Sequence, residues 1–374
     1  MRKGRSKPKP GLIDLWVLAP VMVLLVIGLW CVLDASYAKA VDYDWTNKDS
    51  WYFAKRQILS AVIGLAVMYC VSRARLSTIA WLTKPLLVVS IVLLALVLVI
   101  GYEANGAKRW FNFYGFRLQP SEIAKLALVL YLAQFLAQGK AVVRRISLRW
   151  TPVLLAVGMV SCLILVEPDM GTAVAVVAIC LAMAFAGGAK KWHLSVAIGA
   201  CAFLAWLAVL IEPYRLSRIH VWLDPWTHRY GAGYQIVHSL IALGTGGLFG
   251  LGPCEGREKL YIPAASTDFV FSTVAEEFGL IGSLVLLGLF MLVVYKGLQV
   301  ARDAKSTYAA LLAVGVSSMI GLQALINVAV VSSSIPATGV PLLFISYGGS
   351  SLILTLAGIG VLLAISRQGA QPLD

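Results

Sequence analysis

Ten continuous apolar runs punctuate the chain, at Ile13–Ala35, Phe53–Val71, Trp81–Tyr102, Ile123–Leu136, Val153–Val166, Thr172–Ala186, Val196–Ile211, Phe278–Tyr295, Ala309–Val331 and Leu352–Ile365. Nothing else in the sequence limits the fold so strongly. Hydrocarbon offers no partner to a backbone N–H or C=O, so only helices and closed barrels can span it. The runs lack the period-two alternation of barrel strands, which leaves a helical bundle. Several are shorter than the roughly 18 residues that identify a span alone, and these must borrow polar flanking residues. Composition points the same way: 60% of the 374 residues belong to the AVILMFWYC set and 13% are charged. Soluble domains run at roughly 45–50% apolar and about 25% charged, so the excess here needs lipid to cover it. A disordered chain, a disulfide-stapled secreted module and a cytosolic enzyme around one compact core are excluded. The expected fold class is an all-α membrane protein of about ten transmembrane helices, one polytopic domain over 1–374 without an evident internal repeat.

Charge sets the expected orientation. Placing the basic N-terminus 1–11 and the tail 367–374 in the cytoplasm gathers 18 Lys/Arg and only 3 Asp/Glu on that side, against 13 and 15 on the other. An excess of Lys and Arg marks cytoplasmic segments, so both termini are expected inside and the number of spans even. The basic N-terminal stretch reads as an orientation signal that touches anionic lipid, not as a nucleic-acid site. The first run is long, carries Asp14 near its start and shows no A-x-A-type site, so it reads as a retained helix. The six cysteines and four histidines form no zinc-type spacing. Two external segments stand out, namely 212–277 between helices 7 and 8, and 335–350, a re-entrant-like piece with two prolines and three glycines. Loops of such length usually carry function. Within the first, Tyr234–Phe249 is apolar enough to dip into the outer leaflet but reads as an interfacial or re-entrant segment, not an eleventh span.

Fifteen of the eighteen carboxylates fall on the expected outer side or at outer helix ends. Candidate chemistry is therefore sought there. Asn105-Gly106-Ala107-Lys108-Arg109-Trp110 leads to Gln119-Pro120-Ser121-Glu122, where Ser121 is expected to cap the fourth helix. Glu122 and Lys125, three apart, share a helix face and read either as a cap with a snorkelling lysine or as an acid–base pair lining a polar cavity. Trp110 is an interfacial anchor or a ligand contact. Glu167-Pro168-Asp169-Met170-Gly171 is a tight turn whose Asp169 can cap the next helix. Arg215 and Arg218, at i and i+3, would form on a helix a fork suited to phosphate or pyrophosphate, with snorkelling against lipid head groups as the plainer reading. Asp268 precedes an apolar and aromatic segment where desolvation raises a carboxyl's pKa toward a useful base, although by itself it reads as a helix N-cap. These residues alone reach an outward polar cavity with anion-binding arginines and candidate bases, and no reaction.

The ordered set of motifs goes further. Asn105-Gly106 with Arg109-Trp110, Gln119-Pro120-Ser121-Glu122 with Lys125, Glu167-Pro168-Asp169-Met170-Gly171-Thr172, Tyr214-Arg215 with Arg218, and Leu223-Asp224-Pro225-Trp226 are followed by Gly231-Ala232-Gly233-Tyr234-Gln235, Thr267-Asp268-Phe269, Glu276-Glu277-Phe278-Gly279, Gly339-Val340-Pro341 and Ser346-Tyr347-Gly348-Gly349-Ser350. Nearly the whole chain resembles the SEDS family (shape, elongation, division and sporulation) of bacterial peptidoglycan glycosyltransferases. Ser239-Leu240 and the Gly244–Gly250 run are closer to the division and sporulation branch than to the rod-elongation branch.

The resemblance implies polymerisation of lipid II, the undecaprenyl-pyrophosphate disaccharide peptide, at the outer face of the cytoplasmic membrane. It implies a class B penicillin-binding protein as crosslinking partner, alongside other division-machinery membrane proteins. The family's catalytic aspartate falls on Asp268, as general base to an acceptor hydroxyl, with Arg215 and Arg218 neutralising the pyrophosphate that leaves. Lys108, Arg109, Trp110, Glu122, Lys125, Asp169, Lys259 and Ser346 complete the expected substrate contacts, with a divalent cation, Mg or Mn, as a candidate aid and no organic cofactor. The chain departs from the family at Pro263-Ala264-Ala265-Ser266-Thr267-Asp268, which lacks the usual carboxylate after the proline and the His or Gln before Thr-Asp. Two other functions compete, a lipid-precursor flippase or transporter and a non-catalytic division scaffold. A transporter should carry coupling charges at the membrane midplane and broken, repeated helices, whereas the ionisable residues here cluster toward one surface.

Overall fold

The structure is a computed structural model describing residues 14–42, 46, 48–104, 106–113, 116–139 and 150–368. The basic N-terminal stretch, Asn105, the cations of 140–149 and the tail beyond 368 lie outside the described residues. Among the described residues, ten helices overlap the ten apolar runs: α1 (Leu15–Asp42), α2 (Tyr52–Arg73), α3 (Leu76–Ile100), α4 (Pro120–Leu136), α5 (Thr151–Val166), α6 (Met170–Ala186), α7 (Lys191–Ile211), α10 (Val270–Asp303), α11 (Thr307–Val331) and α12 (Gly349–Gln368). Two shorter helices, α8 (Pro213–Leu223) and α9 (Tyr234–Thr245), lie in the long connection between α7 and α10. Seven of the long helices are long and apolar enough to cross a membrane by length and composition, and α5 and α6 are shorter apolar helices. The chain is an all-α multi-pass membrane protein.

Burial is uneven. α12 is the innermost of the seven, and α7 leaves nearly every side chain on the outside. α12 packs most extensively on α2, and small residues make this possible. A Cβ added at Gly64 of α2 would come within 2.6 Å of Leu356, and one at Gly360 of α12 within 2.7 Å of the Met68 carbonyl. Close backbone approach through glycine is the usual way membrane helices gain packing when lipid removes the hydrophobic drive between them.

Three features differ from the sequence reading. First, 102–118 forms a small antiparallel ribbon, β1 (Tyr102–Ala104), β2 (Ala107–Phe113) and β3 (Phe116–Leu118), in the order β1-β2-β3. Second, Ser121 does not cap α4. Pro120 takes the first helical position, where its missing N–H costs nothing, so the cap moves back to Gln119 and the Ser121 hydroxyl is buried without a partner. Third, α10 begins at Val270, eight residues before the apolar run, and carries Glu276 and Glu277 inside it. That helix is broken at Gly279, with φ 64° and ψ −163°. A Cβ there would stand 2.4 Å from Gly250 N, so only glycine fits. The segment 247–252 closes the gap: Leu251 N and Gly252 N donate to Glu276 O and Glu277 O, while Leu280 N and Ile281 N donate to Gly247 O and Leu248 O.

The segment between α11 and α12, expected as re-entrant, is irregular yet buried at Val340 and Leu342–Ile345. Its carbonyls are taken by side chains from three helices: Arg218 Nη1 of α8 donates to Ala337 O at 2.6 Å, Asn327 Nδ2 of α11 to Val340 O at 2.9 Å and Gln57 Nε2 of α2 to Ser346 O at 3.1 Å. Irregular backbone inside a bundle is tolerated only when its polar groups are satisfied in this way.

Candidate active site

Asp268 lies in the turn that feeds α10, and it does not cap that helix. The N-cap position is Phe269, with no side-chain cap, so Asp268's carboxylate is left for other work. Its backbone is held from two sides: Asn327 Nδ2 donates to Asp268 O at 2.7 Å, and Ser346 Oγ donates to Thr267 O at 2.5 Å. Tyr347 N adds a bond to Ser266 O at 2.7 Å. Upstream, Lys39 from the last turn of α1 donates to the carbonyls of Ile262 and Pro263. The turn is thus fixed by α1, α11 and the segment before α12.

The carboxylate faces Gly339. A Cβ on that glycine would lie 3.5 Å from Asp268 Oδ2 and 3.8 Å from Arg109 Nη1, so the acid and the guanidinium meet over an open patch of backbone. Burial, then the charge of Asp169, pushes the Asp268 pKa up to about 6, against the pull of Arg109 and Arg218. Such a group is mostly ionised near neutrality and still basic enough to take a proton.

Arg109 reaches the site because it sits on β2. Alternation along the strand puts Lys108 and Trp110 on the opposite face from Arg109; Lys108 Nζ donates to Val99 O at 3.4 Å, and Trp110 pairs across the ribbon with Tyr102. Arg109 clamps the α5–α6 turn, with Nε on Glu167 O at 2.8 Å and Nη2 on Pro168 O at 2.5 Å. Asp169 does cap α6, accepting from Thr172 N at 3.0 Å and Thr172 Oγ1 at 2.8 Å.

Arg215 and Arg218 both lie on helix α8, but their guanidinium groups part company. Arg218 stacks on Tyr214 at 4.7 Å and bonds Tyr214 Oη and Ala337 O. Arg215 instead donates to Ala208 O at 2.9 Å and Leu165 O at 3.0 Å, tying α8 to the ends of α7 and α5. Of the two, Arg218 is the one whose charge reaches Asp268.

Four further expected ligands are engaged with partners other than the Asp268 carboxylate. Glu122 and Lys125 form a buried 2.7 Å ion pair, with Lys125 Nζ also 3.0 Å from Gln323 Oε1. Gln323 and Asn327 are four apart on α11, so one helix face holds both the ion pair and the backbone of Asp268. Lys259 is enclosed by Asp34 Oδ1 at 2.5 Å and Glu277 Oε1 at 2.6 Å. Ser346 is a strut, since its hydroxyl donates to Thr267 O and accepts from Leu342 N at 2.9 Å.

A family model described as cell cycle protein, covering FtsW, RodA and SpoVE, matches residues 15–371. The chain belongs to this SEDS family. Stage V sporulation protein E of Bacillus subtilis is 40% identical over 95% of this chain and 97% of its own length. A probable peptidoglycan glycosyltransferase FtsW of Coxiella burnetii is 38% identical over 95% and 96%. Among solved structures, a peptidoglycan synthase complex studied for its coordination of polymerization and crosslinking superposes with a TM-score of 0.80 at 32% identity, covering 96% of this chain and 99% of that one. RodA of Thermus thermophilus superposes with a TM-score of 0.70 at 30% identity, over 96% and 98%.

In this SEDS protein the site also contains groups that the sequence reading did not select. Glu167 is fully buried with neither carboxyl oxygen partnered, and burial, then the Asp169 charge, raises its pKa to about 8 despite Arg109. It is therefore a neutral acid at pH 7. Its signal in the sequence was a carboxylate directly after an apolar run and before proline. Asn327, Lys39 and Asp34 gave no comparable signal, because each matters only through a partner far along the chain.

Proposed function

We propose that the chain polymerises lipid II into glycan strands as a peptidoglycan glycosyltransferase. The observation that carries this reading is the Asp268 carboxylate, which meets Arg109 over the Gly339 backbone and feels the charges of Arg109 and Arg218, in a chain of this family. Ionised Asp268 takes the proton of an acceptor-sugar hydroxyl as its oxygen attacks the anomeric carbon of the donor sugar. The bond from that carbon to the lipid pyrophosphate breaks, and the pyrophosphate leaves with the electron pair. Arg218 and Arg109 offset the charge that develops there, as pre-set cationic donors do in a low-dielectric site. Arg215 serves the same end indirectly, by holding α8 against α5 and α7.

The reading extends to orientation and partners. The charge asymmetry supports cytoplasmic termini and an external Asp268. The complex among the structural neighbours supports a class B penicillin-binding protein as the crosslinking partner, with other division-machinery membrane proteins around the pair and a role in division or sporulation. Among the described residues no group of three or more His, Cys, Asp or Glu is arranged to hold a metal. A divalent cation, Mg or Mn, belongs to this reading as a companion of the pyrophosphate, and no step is routed through it.

The test is polymerisation of lipid II by the purified chain, with and without the class B partner, in the presence of divalent cation or chelator. Asp268→Asn keeps shape and hydrogen bonding but cannot accept the proton, and is expected to slow polymerisation by roughly 10²–10⁴-fold while partner binding survives. Near-normal polymer yield would move the base elsewhere, with Glu122 and Asp169 next to examine.

A further inference from the structure

A cavity of about 480 Å³ opens between the C-terminal ends of α4, α6 and α10 and the first turns of α11. It lies away from Asp268. α10 starts two residues after that acid, and α6 starts at Asp169, whose charge Asp268 feels; each then runs across the bundle and ends at the cavity. Among the described residues, Leu136, Leu298, Leu311 and Val314 give it aliphatic walls, glycines and alanines leave the space between them, and Arg302 and Thr307 bring its only polar side chains. A Cβ added at Gly139 would meet nothing within 4 Å.

Such walls select an amphiphile. In a bilayer an aliphatic cleft fills with hydrocarbon, because a polar occupant would lose its hydration there without gaining hydrogen bonds. The rim selects the sign of the head group. Arg302 is exposed and makes no hydrogen bond or ion pair to a described residue. The stretches that border the cavity, 187–191 and 302–307, add Lys190, Lys191 and Lys305, all exposed, against Asp303 alone. Ser306 Oγ caps α11 by accepting from Ala309 N at 3.1 Å, and the amides of Thr307 and Tyr308, in the first turn, have no intrahelical acceptor. A planar guanidinium beside helix-start amides matches a phosphate. Basic pockets between helices on the cytoplasmic side are where membrane proteins hold anionic head groups.

We propose that this cavity is a site for one anionic glycerophospholipid of the leaflet opposite Asp268, with an acyl chain among α4, α6, α10 and α11 and the phosphate on Arg302. On the orientation supported by the charge asymmetry, that leaflet is the cytoplasmic one. The site stands apart from the glycosyltransferase reading and uses no part of it. A lipid held here ties the far end of α10, the helix that Asp268 leads into, to α4 and α6.

Native mass spectrometry of the full chain in detergent tests it, with titration by phosphatidylglycerol or by phosphatidylethanolamine of the same acyl chains. The wild type should take up one phosphatidylglycerol in a saturable step, about fivefold more tightly than phosphatidylethanolamine, the scale of one Arg or Lys at an anionic surface. Arg302→Gln should bind the two lipids alike. Ala186→Phe, which fills the cleft, should weaken both. Both positions are exposed, so the variants keep the fold, and phosphatidylglycerol should raise the unfolding temperature of the wild type more than that of Ala186→Phe. Equal affinity for the two lipids in the wild type, or an unchanged preference in Arg302→Gln, would overturn the proposal. Undiminished binding in Ala186→Phe would also overturn it, by showing head groups adsorbed to a basic surface with no chain in the cleft. Release of phosphatidylglycerol by inorganic phosphate would do the same in favour of a free anion.

Discussion

At Asp268, burial and one neighbouring carboxylate work against two guanidinium groups, and the balance near pKa 6 decides when the site can act. A base needs its ionised form, so polymerisation is expected to rise with pH through about 6 and then level off. Asp169→Asn isolates one contribution. Asparagine caps a helix about as well as aspartate, so α6 keeps its start, but the charge that raises the Asp268 pKa is gone. The acid limb of the pH–rate profile should then move to lower pH; a limb that stays put would belong to another group. The sequence singled out Asp268, Asp169, Arg109 and Arg218 as polar groups of the external segments, and the family resemblance, not the residues alone, turned Asp268 from a helix cap into a base. What it did not reveal is how the charges divide. The i, i+3 spacing of Arg215 and Arg218 suggested one fork, yet Arg215 is taken up by the Ala208 and Leu165 carbonyls, partners that only the packing of α5 and α7 on α8 supplies.

Helices were legible where apolarity alone defines them, and misjudged where polar residues lie inside them. α10 starts eight residues before its apolar run because Glu276 and Glu277 find partners within the fold: Glu276 accepts from Arg257 N at 2.8 Å and Glu277 from Cys254 N at 3.1 Å. The loop over them is then pinned by Lys259 between Asp34 of α1 and Glu277 of α10. Its side chain is 10% exposed and those of the two acids 6% and 0%, so the pair of anions depends on it. Lys259→Met should cost about 3–5 kcal/mol, the scale for breaking a buried ion pair from one side. Thermal unfolding in detergent measures this, and neutralising both partners with Asp34→Asn and Glu277→Gln should recover part of it. An unchanged unfolding temperature in Lys259→Met would mean that the loop is held by its backbone bonds alone.

For the whole molecule, the all-α multi-pass character followed from hydropathy, with seven helices among the described residues long and apolar enough to cross a membrane, and the ribbon of 102–118 did not follow from it. Orientation is a property of the chain in its membrane and is read from charge. On the proposed orientation, with both termini cytoplasmic, Glu255, exposed on the loop that leads to Asp268, is expected on the outer side. Glu255→Cys in a background without native cysteines should label in intact cells with a membrane-impermeant maleimide. Labelling that needs a permeabilised inner membrane would invert the topology and with it the side on which glycan is made.

The break at Gly279 bears on how such a chain is made. A helix entering hydrocarbon with its ladder interrupted leaves open carbonyls and amides, each costing several kcal/mol there. The segment that mends this one, 247–252, is translated before α10, so its four backbone groups are at hand when the helix emerges. Order of synthesis thus matches order of need. A rearranged gene that encoded α10 ahead of this segment would send the helix into the bilayer with its break unmended, even though the finished contacts would be the same.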